Sequence, residues 1–438
     1  MFDLPKYGNG ICLTRLARLL EVLAVDRARL QRNSVVITGS NGKGSTAAFC
    51  ANIGRASGLR TGLFTSPHLY RFNERFQIDG ILIEDARLAA MVTRIESAIR
   101  HISQQLPGES FGAFEAQFAL ACLYFQDMEC EFAVFEAGIG GRYDPVRLVG
   151  ALHTCVTSVD YEHVALLGNS LELISADKSD ACAAGGTIVY GENCRELRPH
   201  LAEYNRNRKI TNLFVRDEIV VSGESTAAGG QRFDFRFDGY EFRSLEIGLA
   251  GAFQLNNAAI AVALFLLWAR QALPPAKVTL EPAIKAGLMA TRWPGRLELI
   301  RSDPVTVIDV GHTPDGIAQA LRGLKETYGA DDWILVTGVS HDKKADEIVA
   351  LLAPSFDVII CAAAHHKGSD PQAIAEAAHR ANPGATIEMA ATIEQAVALS
   401  TARAAAMNRK IFVAGGLFLA IEYAAVAKGK RAQDLNFF

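Results

Sequence analysis

Residues 35–50 read VVITGSNGKGSTAAFC: an apolar, β-branched run, a turn with three glycines (Gly39, Gly42, Gly44) and Lys43, then Ser45 and Thr46 opening a helix-forming stretch. Each part suits the binding of phosphate. Glycines let the backbone fold around phosphate oxygens, and a helix N-terminus aims unpaired N–H groups at them. Lys43 neutralises charge, and the Ser45 hydroxyl is placed to reach a divalent cation. Gly39, Asn41, Gly42, Lys43, Gly44, Ser45 and Thr46 are therefore the expected nucleotide contacts. The spacing is not GxxxxGK[ST], because Ile37 stands where the first glycine belongs and Gly44 separates Lys43 from Ser45. The flanking strand and helix distinguish this turn from an incidental glycine-rich one.

Outward from that turn, short apolar runs alternate with helical patterns, as in a parallel sheet buried on both faces. Strands are expected at 35–38, 61–65, 132–136, 154–159 and 187–190, with helices at 45–56, 115–125 and 256–269. The last is apolar nearly all round, hence buried. Residues 214–249 contain FDFRFDGYEFRSL, which alternates about Asp238-Gly239 and reads as an antiparallel hairpin. After Trp293-Pro294-Gly295 a second series begins, with strands at 305–310, 333–337, 358–362, 387–389 and 410–413 and helices at 371–381 and 393–406. The expected class is α/β. A phosphate-loop domain over residues 1–295, with an amino-terminal helical segment and the hairpin as an insertion, precedes a smaller Rossmann-like α/β domain over 296–438.

Composition narrows the function. In 438 residues, 50% are hydrophobic and 21% charged, with a net charge of −4, so neither disorder nor a nucleic-acid or anionic-membrane partner is expected. The eight cysteines contain no CxxC pair and fall mostly in apolar stretches, which reads as free thiols in a reducing compartment. The opening MFDLPKYGNG has no basic segment followed by an apolar one, and no stretch reaches the roughly 18 apolar residues of a membrane span. The expectation is a cytoplasmic monomer.

Further segments carry a resemblance. Thr65-Ser66-Pro67-His68-Leu69 with Phe72-Asn73-Glu74-Arg75, FEAGIGGRYD (135–144), Leu167-Gly168, GAFQLNNA (251–258), WPGRLE (293–298) and DVGHTP (309–314) follow one another in order. With GSNGKGST they resemble the motifs of the folylpolyglutamate synthase and dihydrofolate synthase branch of the Mur ligase superfamily. The resemblance implies an ADP-forming ligase: ATP phosphorylates a carboxylate, and the amine of an amino acid, L-glutamate by family expectation, attacks the acyl phosphate. Such chemistry rests on positioning and charge neutralisation.

The same resemblance implies roles. Glu136, His163, Ser66 and Ser45 would hold Mg2+. Asn257, Arg296 and Asp309 would contact adenine, phosphate and ribose. Lys43, Lys178, His163 and His312 form the catalytic set, with Lys178 aligned to a lysine that is carbamylated in the family. Asp177 beside it offers the rival reading of a solvated ion pair. Gly112, Phe114, Glu115, Tyr143, Asp144 and Arg147 would line the pocket of a folate or dihydropteroate-like acceptor.

Departures cluster on the acceptor side. Pro145-Val146-Arg147 stands for the family's ATN, Glu162-His163 for its DH, FGAFEAQ (111–117) for a TFFEFLT-like run, and Ala414-Gly415-Gly416 lacks a serine. Four readings stay open at this level: a folate ligase, a paralogue acting on another aromatic carboxylate, a nucleotide-binding scaffold without turnover, and a generic phosphate-loop kinase or ATPase, which leaves the second domain unexplained.

Overall fold

A computed structural model describes residues 4, 10, 12–105, 108, 110–227, 230–273, 280–341, 343–435 and 437. The expectation drawn from MFDLPKYGNG falls almost wholly outside them.

The first sheet contains β1 (Ser34–Thr38), β2 (Thr61–Phe64), β3 (Phe76–Ile78), β4 (Ile81–Leu82), β5 (Phe132–Glu136), β6 (His153–Val156), β7 (Thr187–Tyr190) and β8 (Thr211–Phe214). Their spatial order is β4-β3-β2-β5-β1-β6-β7-β8. All neighbours are parallel except at the β2-β3 and β3-β4 pairings. β1 and β5 are buried at every residue, which explains their unbroken apolar runs. A three-stranded meander follows, β9 (Val220–Ala227), β10 (Gly230–Phe237) and β11 (Tyr240–Ile247), turning at Asp238-Gly239 as the alternation requires.

The second sheet draws only on residues from Glu298 onward: β12 (Glu298–Ser302), β13 (Val305–Ile308), β14 (Trp333–Thr337), β15 (Val358–Ala362), β16 (Thr386–Ala390) and β17 (Lys410–Ala414). Its order is β12-β13-β17-β14-β15-β16, with only the edge pair β12-β13 antiparallel. The architecture is α/β, a phosphate-loop parallel-sheet unit followed by a Rossmann-like one.

Two expectations change. The strand expected at 154–159 stops at Val156, because Thr157 and Ser158 leave the ladder to bond the phosphate turn. Strands β3, β4, β8, β9 and β12 were not expected. They are short, or at edges, where half-exposed polar residues obscure the period. The helix Phe253–Ala272 is long and apolar enough to cross a membrane, yet most of it is buried within the fold.

That buried helix and the helix Leu280–Ala290 clamp the helix Lys43–Ala56 against the sheet. Their approach leaves no room for side chains. A Cβ on Gly287 would lie 2.6 Å from Ile53 Cα, and one on Gly54 would lie 2.5 Å from the Phe132 ring. Gly287→Ala is therefore expected to destabilise the fold by about 1–3 kcal/mol through overpacking. Chemical denaturation measures this, and an unchanged midpoint would contradict the packing described.

Candidate active site

Parallel sheets place ligands beyond the carboxyl ends of their strands. Here four adjacent ends, in the order β2, β5, β1 and β6, deliver Ser66, Glu136, the phosphate turn, and the segment Thr157 to His163. The turn is held from several sides. Gly39 has φ +138°, and a Cβ there would overlap the Thr157 hydroxyl. Asn41 N–H donates to Ser158 Oγ at 2.8 Å, and Asn41 O accepts from Thr157 Oγ1 at 2.6 Å. Gly42, left-handed at φ 85°, caps the helix Lys43–Ala56, and its Cβ would lie 2.5 Å from Asn257 Oδ1. Gly44 faces the Trp293 indole, whose Nε1 would lie 2.8 Å from a Cβ. Buried Gln254 donates to Ser45 Oγ at 3.2 Å and accepts from Asn257 at 2.9 Å.

Lys43 Nζ folds back onto the Gly39 and Ser40 carbonyls at 2.7 and 3.1 Å. Its charge reaches Glu136, Asp144, Glu162, His163, Lys178 and His312, so the fold gathers these residues around one cation. Glu136 is buried and accepts the Ser66 N–H at 3.1 Å. Burial pushes its carboxyl up to about 7, against the pull of Lys43, the Ser66 bond, Arg296 and Arg75. At the start of the helix Lys43–Ala56, the Thr46 hydroxyl is buried with no hydrogen-bond partner among the described residues. His163 is exposed, at φ 45°. Among the described residues no three His, Cys, Asp or Glu side chains form a ready metal cluster. A cation here would draw on hydroxyls as well.

Lys178 is fully buried, and its Nζ lies 2.6 Å from Glu162 Oε1. The solvated ion pair with Asp177 is not what forms. Asp177 instead accepts the Gly141 N–H at 2.9 Å, because its carboxylate points at the turn after β5. Burial lowers Lys178 below its ordinary range. Burial also opposes the Glu162 anion, but Lys43, Lys178 and a Ser40 hydrogen bond outweigh it and hold Glu162 at about 2.

The segments flanking β12 and β13 bring Arg296, Asp309 and His312. Asp309 is buried and accepts the Gly311 and Leu297 N–H groups at 2.7 and 3.1 Å. Arg296 makes no hydrogen bond or ion pair among the described residues, while its charge acts on both Glu136 and Asp309. Burial, with Lys343, Arg296 and Lys43, holds His312 down at about 4, so it stays a neutral imidazole near pH 7.

On the acceptor side, Phe114 and Asp144 flank Gly138, whose Cβ would lie 2.9 and 3.4 Å from them. Asp144, pushed up to about 6 by burial, accepts N–H bonds from Gly138, Ile139 and Val146 and so shapes this turn. Glu115 is committed internally, accepting from the Gly112 N–H at 2.6 Å and Arg15 at 2.8 Å. Tyr143 and Arg147 are exposed, with Arg147 donating to the Arg142 carbonyl at 2.8 Å. Sequence reading missed Thr157, Ser158, Gln254 and the Glu162 partner of Lys178. Hydroxyls directly after an apolar strand were the legible signal for the first two.

Glu136 sets a pH dependence. Its proton is kept in the fold up to about pH 7 but leaves the unfolded chain near 4.5, so its contribution favours folding at low pH and is lost as pH rises through 7. Without divalent cation at pH 8, Glu136→Gln is expected to be more stable than the parent by on the order of 2 kcal/mol, and the gap closes toward pH 5. Thermal melts at both pH values check this; a variant less stable at pH 8 would contradict it.

Residues 295–417 match the glutamate ligase domain of Mur ligases. A folylpolyglutamate synthase of Lacticaseibacillus casei is 32% identical over 344 residues, 78% of this chain and 79% of that protein. A probable bifunctional folylpolyglutamate synthase/dihydropteroate synthase of Haloferax volcanii is 32% identical over 96% of this chain, which spans about half (49%) of that relative. Mycobacterium tuberculosis folylpolyglutamate synthase complexed with ADP superposes with a TM-score of 0.85 at 28% identity, covering 95% of this chain and 94% of that one. The chain belongs to the folylpolyglutamate synthase and dihydrofolate synthase family of the Mur ligases.

Proposed function

We propose that this chain is an ATP-dependent carboxylate–amine ligase that phosphorylates a folate or dihydropteroate-like carboxylate and couples it to L-glutamate, releasing ADP and phosphate. The observation that carries the reading is the convergence of Lys43, Glu136, Glu162, Lys178 and His312 on one site, with Arg296 just before β12 facing them. Family membership and the ADP-bound neighbour support it. Full retention of these charges favours turnover over a scaffold role, which would need none of them.

Residues 1–295 and 296–438 act as two domains, with the nucleotide between them. The phosphate turn cradles the triphosphate, Asn257 meets the adenine, Asp309 the ribose and Arg296 the phosphates. Arg296, which makes no hydrogen bond or ion pair among the described residues, is placed to follow charge developing on the transferred phosphoryl group. The His312 imidazole, neutral near pH 7, offers a ring nitrogen that can accept a hydrogen bond from the attacking amine. Gly112, Phe114, Tyr143, Asp144 and Arg147 border the acceptor, with Glu115 holding Gly112 in place.

Mg2+ fits the donor set: the raised Glu136 carboxyl, the Ser45 and Ser66 hydroxyls, and His163. It would neutralise phosphate charge. The buried, lowered Lys178 amine suits carbamylation, and a carbamate opposite Glu162 is an arrangement that a divalent cation stabilises. Eight free thiols suit a cytoplasmic setting, and the enzyme acts as a monomer.

Phosphate release from ATP, Mg2+ and glutamate is expected to depend on added dihydropteroate or folate and to yield a glutamylated product. Lys43→Ala and Arg296→Ala are each expected to lower kcat by about 100-fold or more. Acceptor-independent hydrolysis would overturn the ligase reading, and ATP binding without turnover on any carboxylate would favour the scaffold.

A further inference from the structure

One side chain of the phosphate turn reaches the unit built on the second sheet. Asn41 Nδ2 donates to Asp315 Oδ2 at 3.2 Å, and Asn41 Oδ1 accepts from Thr313 Oγ1 at 3.3 Å. A carboxylate only accepts, so Asp315 fixes which end of the amide faces it. The Thr313 hydroxyl in turn caps the helix Pro314–Tyr328 by accepting the Gly316 N–H at 3.1 Å. On its own side, the Asn41 main chain is pinned by Thr157 and Ser158. Asn41 is thus fixed to the phosphate turn by its backbone and to the opposite helix by its side chain.

We propose that Asn41, beyond any contact with phosphate, is a positioning residue that couples the phosphate turn to the first turn of the helix Pro314–Tyr328. The residue before Thr313 is His312, so the bond sets that imidazole relative to the triphosphate cradle. Ligation needs such a link, because the phosphoryl donor is held on one side and the attacking amine approaches from the other. The kinetic consequence rests on the ligase reading; the coupling itself does not.

An exchange of partners tests it. Asn41→Asp sets a carboxylate against Asp315, whereas Asn41→Asp with Asp315→Asn restores a donor–acceptor pair with the roles reversed. Two quantities are read: amide hydrogen exchange at residues 316–318 in protein without nucleotide, and kcat and KM for ATP. Asn41→Asp is expected to speed exchange and lower kcat, each on the order of tenfold. The double variant should return both to within about threefold of the parent. Asn41→Ala, which adds no charge, should speed exchange in the same direction.

A double variant as impaired as Asn41→Asp would overturn the proposal, since the loss would then come from negative charge beside phosphate. Unchanged exchange in both Asn41 variants would overturn it as well. Because exchange is read without nucleotide, a parent that fails to turn over would count against the ligase reading alone.

Discussion

The turn after β1 lies so close to the end of β6 that only glycine fits at position 39, with the Thr157 hydroxyl where a Cβ would stand. The rest of the site depends on that approach. It lets Thr157 and Ser158 hold Asn41 by its main chain, which directs the N–H groups of the turn and of the helix Lys43–Ala56 toward one point. The helix cannot retreat, because Gly54 and Gly287 put it in contact with β5 and with its neighbouring helix. Phosphate binding here is consequently a property of packed backbone more than of side chains.

Around that rigid turn the charges are arranged with little solvent. Glu136 is buried and raised, Glu162 is held ionised by two lysines, and Lys178 is wholly enclosed. On the proposed reading, a cation and a polyphosphate would stabilise this buried charge, and the same groups would favour charge that develops during phosphoryl transfer. Arg296, just before β12, and His312, just after β13, bring charge and an imidazole to it from the unit built on the second sheet. The contacts of Asn41 with Thr313 and Asp315 tie the phosphate turn to that unit.

Much of this was legible in the sequence, for physical reasons. β1 and β5 read clearly because strands buried on both faces are apolar throughout, and the turn read clearly because glycines, lysine and hydroxyls each serve one task in phosphate binding. Edge strands such as β4 and β12 did not, since half-exposed residues carry no clean period. The rival reading that paired Lys178 with its sequence neighbour Asp177 does not hold. Helical geometry turns adjacent side chains apart, and the true partner, Glu162, is brought in by a separate loop. Glu115, an acid beside the acceptor segment, is spent on Arg15 and Gly112, and a pairing a hundred residues distant leaves no local signal.

The central claim is that the acceptor carboxylate attacks the γ-phosphorus and the amine then displaces phosphate from the acyl carbon. One carboxylate oxygen must therefore leave with the phosphate. Turnover of acceptor labelled with 18O in that carboxylate, with the released phosphate read by mass spectrometry, tests this directly. The account requires one labelled oxygen per phosphate. Phosphate that carries no acceptor label, or takes its oxygen from solvent water, would contradict it.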